Sequence, residues 1–388
     1  MNSGNGALVK IRFNASERST LGIEVELELV DRETRALASG ASAVLAALAA
    51  QREGDAHPKV KHELMESTLE IITGICETVP EARADLESTL AEVVPVAEER
   101  GFRLLCSGTH PFSDWNDQEI SPDPRYKRLI EDMQWPARRL AIFGIHVHVG
   151  VRSAEKAITI ANALTAYIPH FLALSASSPY WLARDTGLAS CRSKVFEALP
   201  TAGLPHQLGG WAEFEEYMTT LISARAISSI REVWWDIRPH PNFGTVELRI
   251  CDGIPTMGEI AAVAAMSQCL VEWLDHLIDR GYTLPCPRAW IVRENKWRAA
   301  RHGVDAEIIL DETGALSPVS HAIAELVEEL APVAHRLGCE DELRGVLRIL
   351  DHGPSYLRQR RLIAEGAALA DVVDSLAEEL RSDRPGGG

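Results

Sequence analysis

The sequence predicts an α+β fold, in which helices cover one face of an antiparallel sheet and polar residues line the other face. Two observations favour this class. Four strand-like segments carry polar side chains at every second position, with branched apolar residues between them. Strands and helices also mix without strict βαβ alternation, and the chain has neither a GxGxxG nor a Walker A motif. A doubly wound parallel sheet is therefore disfavoured.

The first predicted strand is TLGIEVELELVD, residues 20 to 31. Side chains alternate between the two faces of a strand, so Glu24, Glu26 and Glu28 share one face at a spacing of about 6.6 Å. Ile23 and its apolar neighbours point the other way, into a core. Like charges at this distance repel each other, so the polar face requires either water or a cation.

Two further segments continue the pattern. In HPKVKHELMESTLEIITG, residues 57 to 74, an extended chain would place Glu66, Thr68 and Glu70 on one face. In AIFGIHVHVGV, residues 141 to 151, His146 and His148 share a face.

The fourth segment is VWWDIRPHPNFGTVELRICD, residues 233 to 252, which we predict to be two strands around a turn at residues 239 to 244. Thr245, Glu247 and Arg249 would share one face, with Cys251 continuing it. Each segment alone also fits a solvated strand face or an exposed ion pair. If the four strands are neighbours, however, one face gathers six carboxylates, two imidazoles and an arginine.

Apolar periodicity predicts helices over most of the remaining chain, at residues 38–53, 80–100, 123–140 with an interruption at Pro136, 153–175, 211–227, 256–281 and almost everything after 290. Residues 175 to 193 are predicted to form a long loop. We expect an N-terminal arm at residues 1–18, one domain at 19–380 whose part from about 290 is mostly helical, and a disordered tail at 381–388.

Composition excludes several classes of protein. The net charge of −17 argues against sequence-independent binding of nucleic acid, which depends on Lys and Arg. No polybasic amphipathic helix or uninterrupted apolar run predicts a membrane protein. The seven cysteines are scattered without CxxC spacing, and the N-terminus lacks a signal peptide, so we expect a cytoplasmic protein.

The ligand inventory indicates a metal–nucleotide site. Carboxylates with one or two imidazoles suit Mg²⁺, with Mn²⁺ as the alternative, better than zinc. Mg²⁺ is usually held by a few carboxylates together with substrate phosphates. Arg192, Arg238 and Arg249 could then pair with a phosphate or a substrate carboxylate.

Several motifs, in this order, resemble the carboxylate–amine ligases of the second glutamate–cysteine ligase family: GIEVELELVD, ELMESTLEIITG, GIHVHVGV, LALSASSPYW, DTGLASCRSKVF, WWDIRPHPNFGTVELRICD and ENKWRAARHG. The resemblance runs from about residue 19 to about 305. It implies a fold similar to glutamine synthetase, with a curved antiparallel sheet. It also implies that ATP converts the γ-carboxylate of glutamate to an acyl phosphate, which an amine, by default cysteine, then attacks. A homodimer is the family expectation.

The resemblance assigns roles to individual residues. The implied metal ligands are Glu24, Glu26, Glu66, Glu70, His146 and Glu247. The implied catalytic residues are Arg249, which would stabilise developing negative charge, and Glu70. The candidates for substrate contact are Arg192, Trp235, Arg238 and His148, and those for nucleotide contact are Trp297, Arg298 and Arg301. For the last three, an ordinary helix with a surface arginine face is an equal alternative, and Glu28 is expected to be solvated.

Three other hypotheses stay open at this stage. A metal-dependent hydrolase could be built on His146 and His148, a non-catalytic binding protein could keep the fold, and a ligase of the same mechanism could join a different carboxylate and amine in specialised metabolism. The serines at 175, 177 and 178 lack a G-x-S-x-G elbow and are expected to belong to an ordinary loop. Cys251 is expected to be a packed thiol.

Overall fold

The computed structural model of the protein describes residues 10–386. The strands in this range are β1 (Leu21–Asp31), β2 (Val60–His62), β3 (Thr68–Ile72), β4 (Phe102–Leu105), β5 (Ile145–Gly150), β6 (Tyr180–Trp181), β7 (Arg184–Asp185), β8 (Ala202–Gly203), β9 (Trp234–Trp235), β10 (Ile237–His240), β11 (Thr245–Leu248), β12 (Glu307–Ile309) and β13 (Leu316–Pro318). The α-helices are α1 (Ala41–Ala50), α2 (Val79–Glu98), α3 (Pro124–Met133), α4 (Trp135–Arg138), α5 (Ala154–Leu164), α6 (Ile168–Ser175), α7 (Cys191–Phe196), α8 (Trp211–Ser223), α9 (Met257–Asp279), α10 (Ala289–His302), α11 (Val319–Leu337), α12 (Glu340–His352), α13 (Ser355–Ala364) and α14 (Leu369–Ser382).

The main sheet has seven strands in the order β10-β11-β5-β1-β3-β2, and β4 also pairs with β1. Every pair in this sheet is antiparallel. The predicted α+β class is therefore confirmed. The central strand β1 is the longest strand, and its odd-numbered apolar residues are at most 2 % exposed.

One apolar core joins the sheet to the helices. Leu21, Ile23 and Val25 belong to the same buried cluster as residues from α2, α9 and the C-terminal helices. Burying each such side chain stabilises the fold by about 1.5–3 kcal/mol relative to exposure. Because the helices cover this face, the even-numbered residues of β1 face away from the core.

The helices begin and end close to the predicted positions, with informative exceptions. The helix predicted at 123–140 breaks at Gln134, whose φ is 53°, and Pro136 then lies in the first turn of α4, where a proline needs no N–H partner. The loop predicted at 175–193 contains the small β6–β7 hairpin and the start of α7. The disordered tail was predicted from residue 381, but α14 continues to Ser382 and Asp383 forms an ion pair with Arg83; residues 387 and 388 lie outside the described range.

Two buried ion clusters connect helices to the rest of the fold. Arg358 of α13 donates to Glu259 of α9 at 2.8 and 3.0 Å and to Glu379 of α14 at 2.7 Å. Lys296 of α10 lies 2.6 Å from both Asp236, which precedes β10, and Glu197. These contacts hold the C-terminal helices against the rest of the fold.

The stretch at residues 154–175, which includes α5 and α6, is long and apolar enough to span a membrane by length and composition. However, 78 % of its most apolar window is buried within the fold. This stretch therefore serves as core.

Candidate active site

The sheet order places the four polar strand segments side by side, as β11-β5-β1-β3. Direct cross-strand neighbours are Glu24 and His146, Glu26 and Glu70, and Glu247 and His148. The period-two pattern in the sequence thus becomes a continuous polar face.

Glu24 and His146 form a hydrogen-bonded pair at the centre of this face. The Glu24 Oε2 atom lies 3.0 Å from Nδ1 of His146, and Oε1 lies 3.5 Å from Nε2 of His148. Burial, reinforced by the nearby Arg249, lowers the pKa of His146 to about 4, so this imidazole is neutral at physiological pH. Burial by itself would raise the pKa of Glu24, but the hydrogen bonds from both histidines hold it well below its usual value. Glu24 is therefore an anion beside a neutral imidazole.

Three further carboxylates crowd the same region. Burial and the charge of Glu63 raise the pKa of Glu26 to about 7. Burial also raises the pKa of Glu70 well above its usual value, with added repulsion from Glu63, Glu24 and Glu26. The pKa of Glu63 itself is raised by burial. Burial, with repulsion between the carboxylates added to it, thus disfavours negative charge on this side of the site, and a cation would relieve both effects.

Ligand atoms of Glu24, Glu70 and His146 lie within 4.8 Å of one another, close enough to hold one metal ion. Two carboxylates and one imidazole suit a hard divalent cation. Structural zinc sites use more nitrogen and sulfur ligands. The residues therefore fit Mg²⁺ or Mn²⁺.

On the other side of the site, Glu247 is held between two arginines. Arg238 donates to Glu247 Oε2 through Nε at 2.9 Å and through Nη2 at 2.7 Å. Arg249 Nη2 lies 2.7 Å from Glu247 Oε1, and its Nη1 lies 3.3 Å from Nε2 of His146. Although burial raises the pKa of Glu247, the two guanidinium groups outweigh this effect and lower it strongly. Arg249 bridges the anionic and imidazole parts of the site, whereas Arg238 is engaged in holding Glu247.

Arg192 lies buried beside the start of β5. Its Nη1 donates to the carbonyl oxygen of Ile250 at 3.3 Å and lies 4.0 Å from Asp252. A Cβ atom added to Gly144 would come within 2.1 Å of Arg192 Nη2, so the guanidinium occupies the space that any side chain at 144 would need. The backbone N–H of Gly144 also donates to Glu26. Arg192 therefore borders the carboxylate cluster.

Glu66 lies apart from this cluster, contrary to the prediction that it faces the same way as Glu70. The predicted continuous extended segment is divided into β2 and β3, and residues 63 to 67 form the connection. The Glu66 carboxylate accepts hydrogen bonds from Ser42 N at 3.1 Å and Ser42 Oγ at 2.6 Å at the beginning of α1. An anion stabilises a helix at this end.

Glu63, which the sequence analysis missed, joins the cluster instead. It lies seven residues before Glu70, so strand alternation would have assigned the two residues to opposite faces. The turn between β2 and β3 removes that restriction, and the Glu63 charge acts on both Glu26 and Glu70. Recognition of the turn would have been needed to identify it.

Glu28 is buried, and the expectation that it is solvated was wrong. Its Oε1 lies 2.6 Å from Ser107 Oγ, which also lies 2.9 Å from the carbonyl oxygen of Thr109. Burial raises the pKa of Glu28 to about 8. A serine hydroxyl carries one proton, so both contacts are satisfied when Glu28 is protonated and donates to Ser107.

Trp235, which was predicted to contact substrate, lies outside the main sheet. Trp235 is 3 % exposed and packs with Phe214 and Tyr217 of α8 in a separate apolar cluster. It belongs to β9, which pairs in parallel with β8 in a small sheet of its own. The alternation of the main sheet therefore does not extend to it.

The residues proposed for nucleotide contact are on α10. Trp297 is 43 % exposed and lines a cavity of about 450 Å³ with Lys194 and Lys296. Arg298 pairs with Glu294 at 2.9 Å, and Arg301 donates to the carbonyl oxygen of Gly187. Both arginines contact the surrounding fold, as the alternative of an ordinary surface helix predicts.

The serine-rich loop and Cys251 have structural roles. Ser177 N and Ser178 Oγ donate to the buried Asp252 at 3.0 and 2.6 Å, and Asp252 N donates to Ser175 Oγ at 3.2 Å. Cys251 is buried in the main core, which confirms the packed-thiol interpretation.

Comparison with known proteins identifies the relatives of this chain. Residues 20–377 match the model of the glutamate-cysteine ligase family 2. A protein of Frankia casuarinae named "Putative glutamate--cysteine ligase 2-1" is 58 % identical over 97 % of this chain and 99 % of its own length. A "Putative glutamate--cysteine ligase 2" of Thermobifida fusca is 54 % identical over 97 % and 94 %. Among solved structures, a glutamate–cysteine ligase from Francisella tularensis in complex with AMP has the same fold, with a TM-score of 0.69 at 15 % identity, over 95 % of this chain and 90 % of that one.

Proposed function

The chain belongs to the glutamate-cysteine ligase family 2, and on this premise we propose that it is an ATP-dependent carboxylate–amine ligase. It activates the γ-carboxylate of glutamate as an acyl phosphate and joins it to an amine, with cysteine as the default acceptor. The names of its relatives support the pair glutamate and cysteine, and the AMP complex of a protein with the same fold supports the use of ATP.

One observation carries this proposal: the ligand atoms of Glu24, Glu70 and His146 converge within 4.8 Å. Glu26 and Glu63 supply further carboxylate oxygens beside them. These residues would hold Mg²⁺, or alternatively Mn²⁺. When bound, such ions neutralise the charge of nucleotide phosphates and orient them for transfer.

The cationic side of the site fits the charge that develops in the reaction. Arg249 is partly buried, and its guanidinium lies between Glu247 and His146. Arg238 holds the same Glu247 from the other side, so the position of Arg249 is fixed before substrate arrives. A preorganised cation of this kind stabilises negative charge on a transferred phosphoryl group or a tetrahedral centre. We assign Arg249 this role and Arg238 a positioning role.

Arg192 and His148 are the proposed substrate-contacting residues. The Arg192 Nε atom is buried without a hydrogen-bond partner among the described residues, and its charge acts on Glu26. His148 uses Nδ1 to contact Thr245 Oγ1 at 3.1 Å, which leaves Nε2 directed towards Glu24. A guanidinium suits a carboxylate substrate. The hydrolase hypothesis required both imidazoles as metal ligands, whereas His146 alone belongs to the convergent group.

The family resemblance supports a homodimer and a cytoplasmic location, and both belong to the proposal. A ligase that joins a different carboxylate to a different amine would use the same metal cluster and the same Arg249. The choice of acceptor is therefore a question for experiment.

The test is phosphate release from ATP and Mg²⁺ in the presence of L-glutamate, over a panel of amines led by L-cysteine. We expect release that depends on the amine and is lost in Glu70→Gln. The matched control is Glu66→Gln, which changes a carboxylate outside the cluster and should retain the activity. Release with glutamate alone would indicate that the acyl phosphate forms without its proper amine. Absence of release with every combination would overturn the glutamate assignment.

A further inference from the structure

An aromatic stack stands at the turn between β10 and β11. Phe243 is 58 % exposed, and its ring lies parallel to the buried His240 ring, with a centroid distance of 4.1 Å and an angle of 15° between the planes. The two residues are also linked through Phe243 N, which donates to His240 Nδ1 at 3.4 Å. His240 covers one ring face of Phe243, which leaves the opposite face available to a planar ligand.

This stack lies next to the proposed metal ligands Glu24, Glu70 and His146. The His148 ring meets both rings edge-on, at 5.6 Å from His240 and 5.5 Å from Phe243. Nε2 of the same histidine lies 3.5 Å from Glu24. One side chain therefore separates the aromatic stack from the residues that would hold the metal and the phosphates, and the stack lies on the polar side of the sheet.

The turn that carries Phe243 is held in place by the N-terminal arm. Asn14 N donates to the carbonyl oxygen of Pro241 at 2.9 Å, and Asn14 Nδ2 donates to that of Asn242 at 2.9 Å. Gly244 has a φ of +68°, and a Cβ atom there would lie 1.6 Å from Asn14 O. Because these contacts hold the turn in one conformation, a ligand that binds to the Phe243 ring would cost little conformational entropy of the backbone.

We propose that the Phe243–His240 stack is the platform on which the base of the nucleotide lies while its phosphates reach Glu24, Glu70 and His146. This inference rests on the proposed function, since it assigns the base of the ATP that the ligase would use. Stacking on an aromatic ring tolerates any base, because every base has a π-face. The platform therefore contributes affinity for a nucleoside and leaves the choice among bases to other contacts.

The family resemblance predicts nucleotide contact at Trp297, which is also an exposed aromatic residue. Trp297, however, lines a cavity whose wall includes Lys296, and Lys296 is engaged with Asp236 and Glu197. Among residues 10–386, the ring of Trp297 lies 5.6 Å from Lys194 Nζ, and no hydrogen bond, ion pair or ring contact joins it to the carboxylates of the main sheet. Trp297 thus offers a matched control, of the same chemical kind but at a different place.

The experiment measures binding of Mg·ATP and of Mg·tripolyphosphate to the full chain by isothermal titration calorimetry. Tripolyphosphate has the phosphates without the nucleoside, so a base platform affects only ATP. In Phe243→Ala we expect affinity for Mg·ATP to fall about tenfold or more and affinity for Mg·tripolyphosphate to stay unchanged. Phe243→Tyr, which keeps the ring, should bind both ligands as the wild type does, and so should Trp297→Ala.

Each contrary result has a separate meaning. Wild-type binding of Mg·ATP that survives in Phe243→Ala overturns the platform and leaves the proposed function standing. If Trp297→Ala is the variant that loses ATP selectively, the base lies on α10 instead. A wild type that binds neither ligand overturns the platform together with the proposed function. Equal loss of both ligands in Phe243→Ala would mean that the ring shapes the phosphate site, and that result also contradicts the platform.

Discussion

Glu26 and Glu70 lie directly opposite each other on the neighbouring strands β1 and β3. Like charges in this position destabilise an antiparallel pair. The pKa of both carboxyl groups is raised in the folded protein, mainly by burial and further by repulsion from the other carboxylates. Without a metal, protons reduce the charge of this pair, and a divalent cation would compete with those protons.

We therefore predict that Mg²⁺ or Mn²⁺ raises the melting temperature and displaces protons near pH 7. Ligand binding to the native state stabilises it by mass action, and carboxylate ligands must be deprotonated to bind a metal. Calorimetry in buffers of different ionisation enthalpy would count the protons released. Glu70→Gln should abolish the stabilisation by metal, whereas Glu66→Gln should keep it. Equal loss in both variants would show that the cluster is not the metal site.

Arg249→Lys is expected to lower kcat for phosphate release by about 100-fold or more, because an ammonium group cannot contact Glu247 and His146 at once as the guanidinium does. The fold should persist, since Glu247 keeps its two hydrogen bonds from Arg238. Steady-state kinetics with circular dichroism on the same samples would check both statements. Arg344→Lys, at an exposed position, is the control, and unchanged turnover in Arg249→Lys would remove Arg249 from the catalytic role.

Glu28 gives the free energy of unfolding a specific dependence on pH. Its pKa is about 8 in the folded protein and about 4.3 in an unfolded chain, so the folded state holds a proton that the unfolded state releases. This contribution to stability is complete below pH 4 and is lost as the pH rises to about 8. Glu28→Gln removes the dependence and should stabilise the protein by about 2–4 kcal/mol more at pH 8 than at pH 5. Urea denaturation at the two pH values tests this, and an equal effect at both would contradict it.

Gly144→Ala should destabilise the protein by about 1–3 kcal/mol and reduce ligase activity, because the new methyl group would need the space of the Arg192 guanidinium. Gly22→Ala is the matched control on β1, where the nearest atom to the added Cβ is 3.7 Å away. Chemical denaturation of both variants would measure the difference. If Gly144→Ala were as mild as Gly22→Ala, Arg192 would have room to move.

The polar face was predictable because alternation in a strand is a local property. Glu24, Glu26, His146 and Glu247 follow from period two alone, and the sheet order confirms that their strands are neighbours. The sequence pattern predicted that Glu66 joins the carboxylate cluster, but Glu63 does so instead. Alternation could not predict this, because a turn inside the second segment changes which residues lie on the polar face.

Other differences arise from contacts that are distant in sequence. Glu28 is covered by Ser107, 79 residues later, and no local pattern reveals that contact. Trp235 follows the pairing of β9 with β8, not the alternation of the main sheet. For Trp297, composition and spacing indicate an exposed aromatic residue on a helix, but they do not indicate which cavity it lines.

The buried Arg358 limits how this chain could be recombined with its relatives. All residues of the proposed metal cluster and Arg249 precede residue 250, which on its own would make the last helices an exchangeable module. Arg358 nevertheless requires Glu259 from α9 and Glu379 from α14, and removing one partner of a buried charge typically costs about 3–5 kcal/mol. A chimera with a crossover between residues 260 and 357 would therefore have to inherit a compatible set at all three positions.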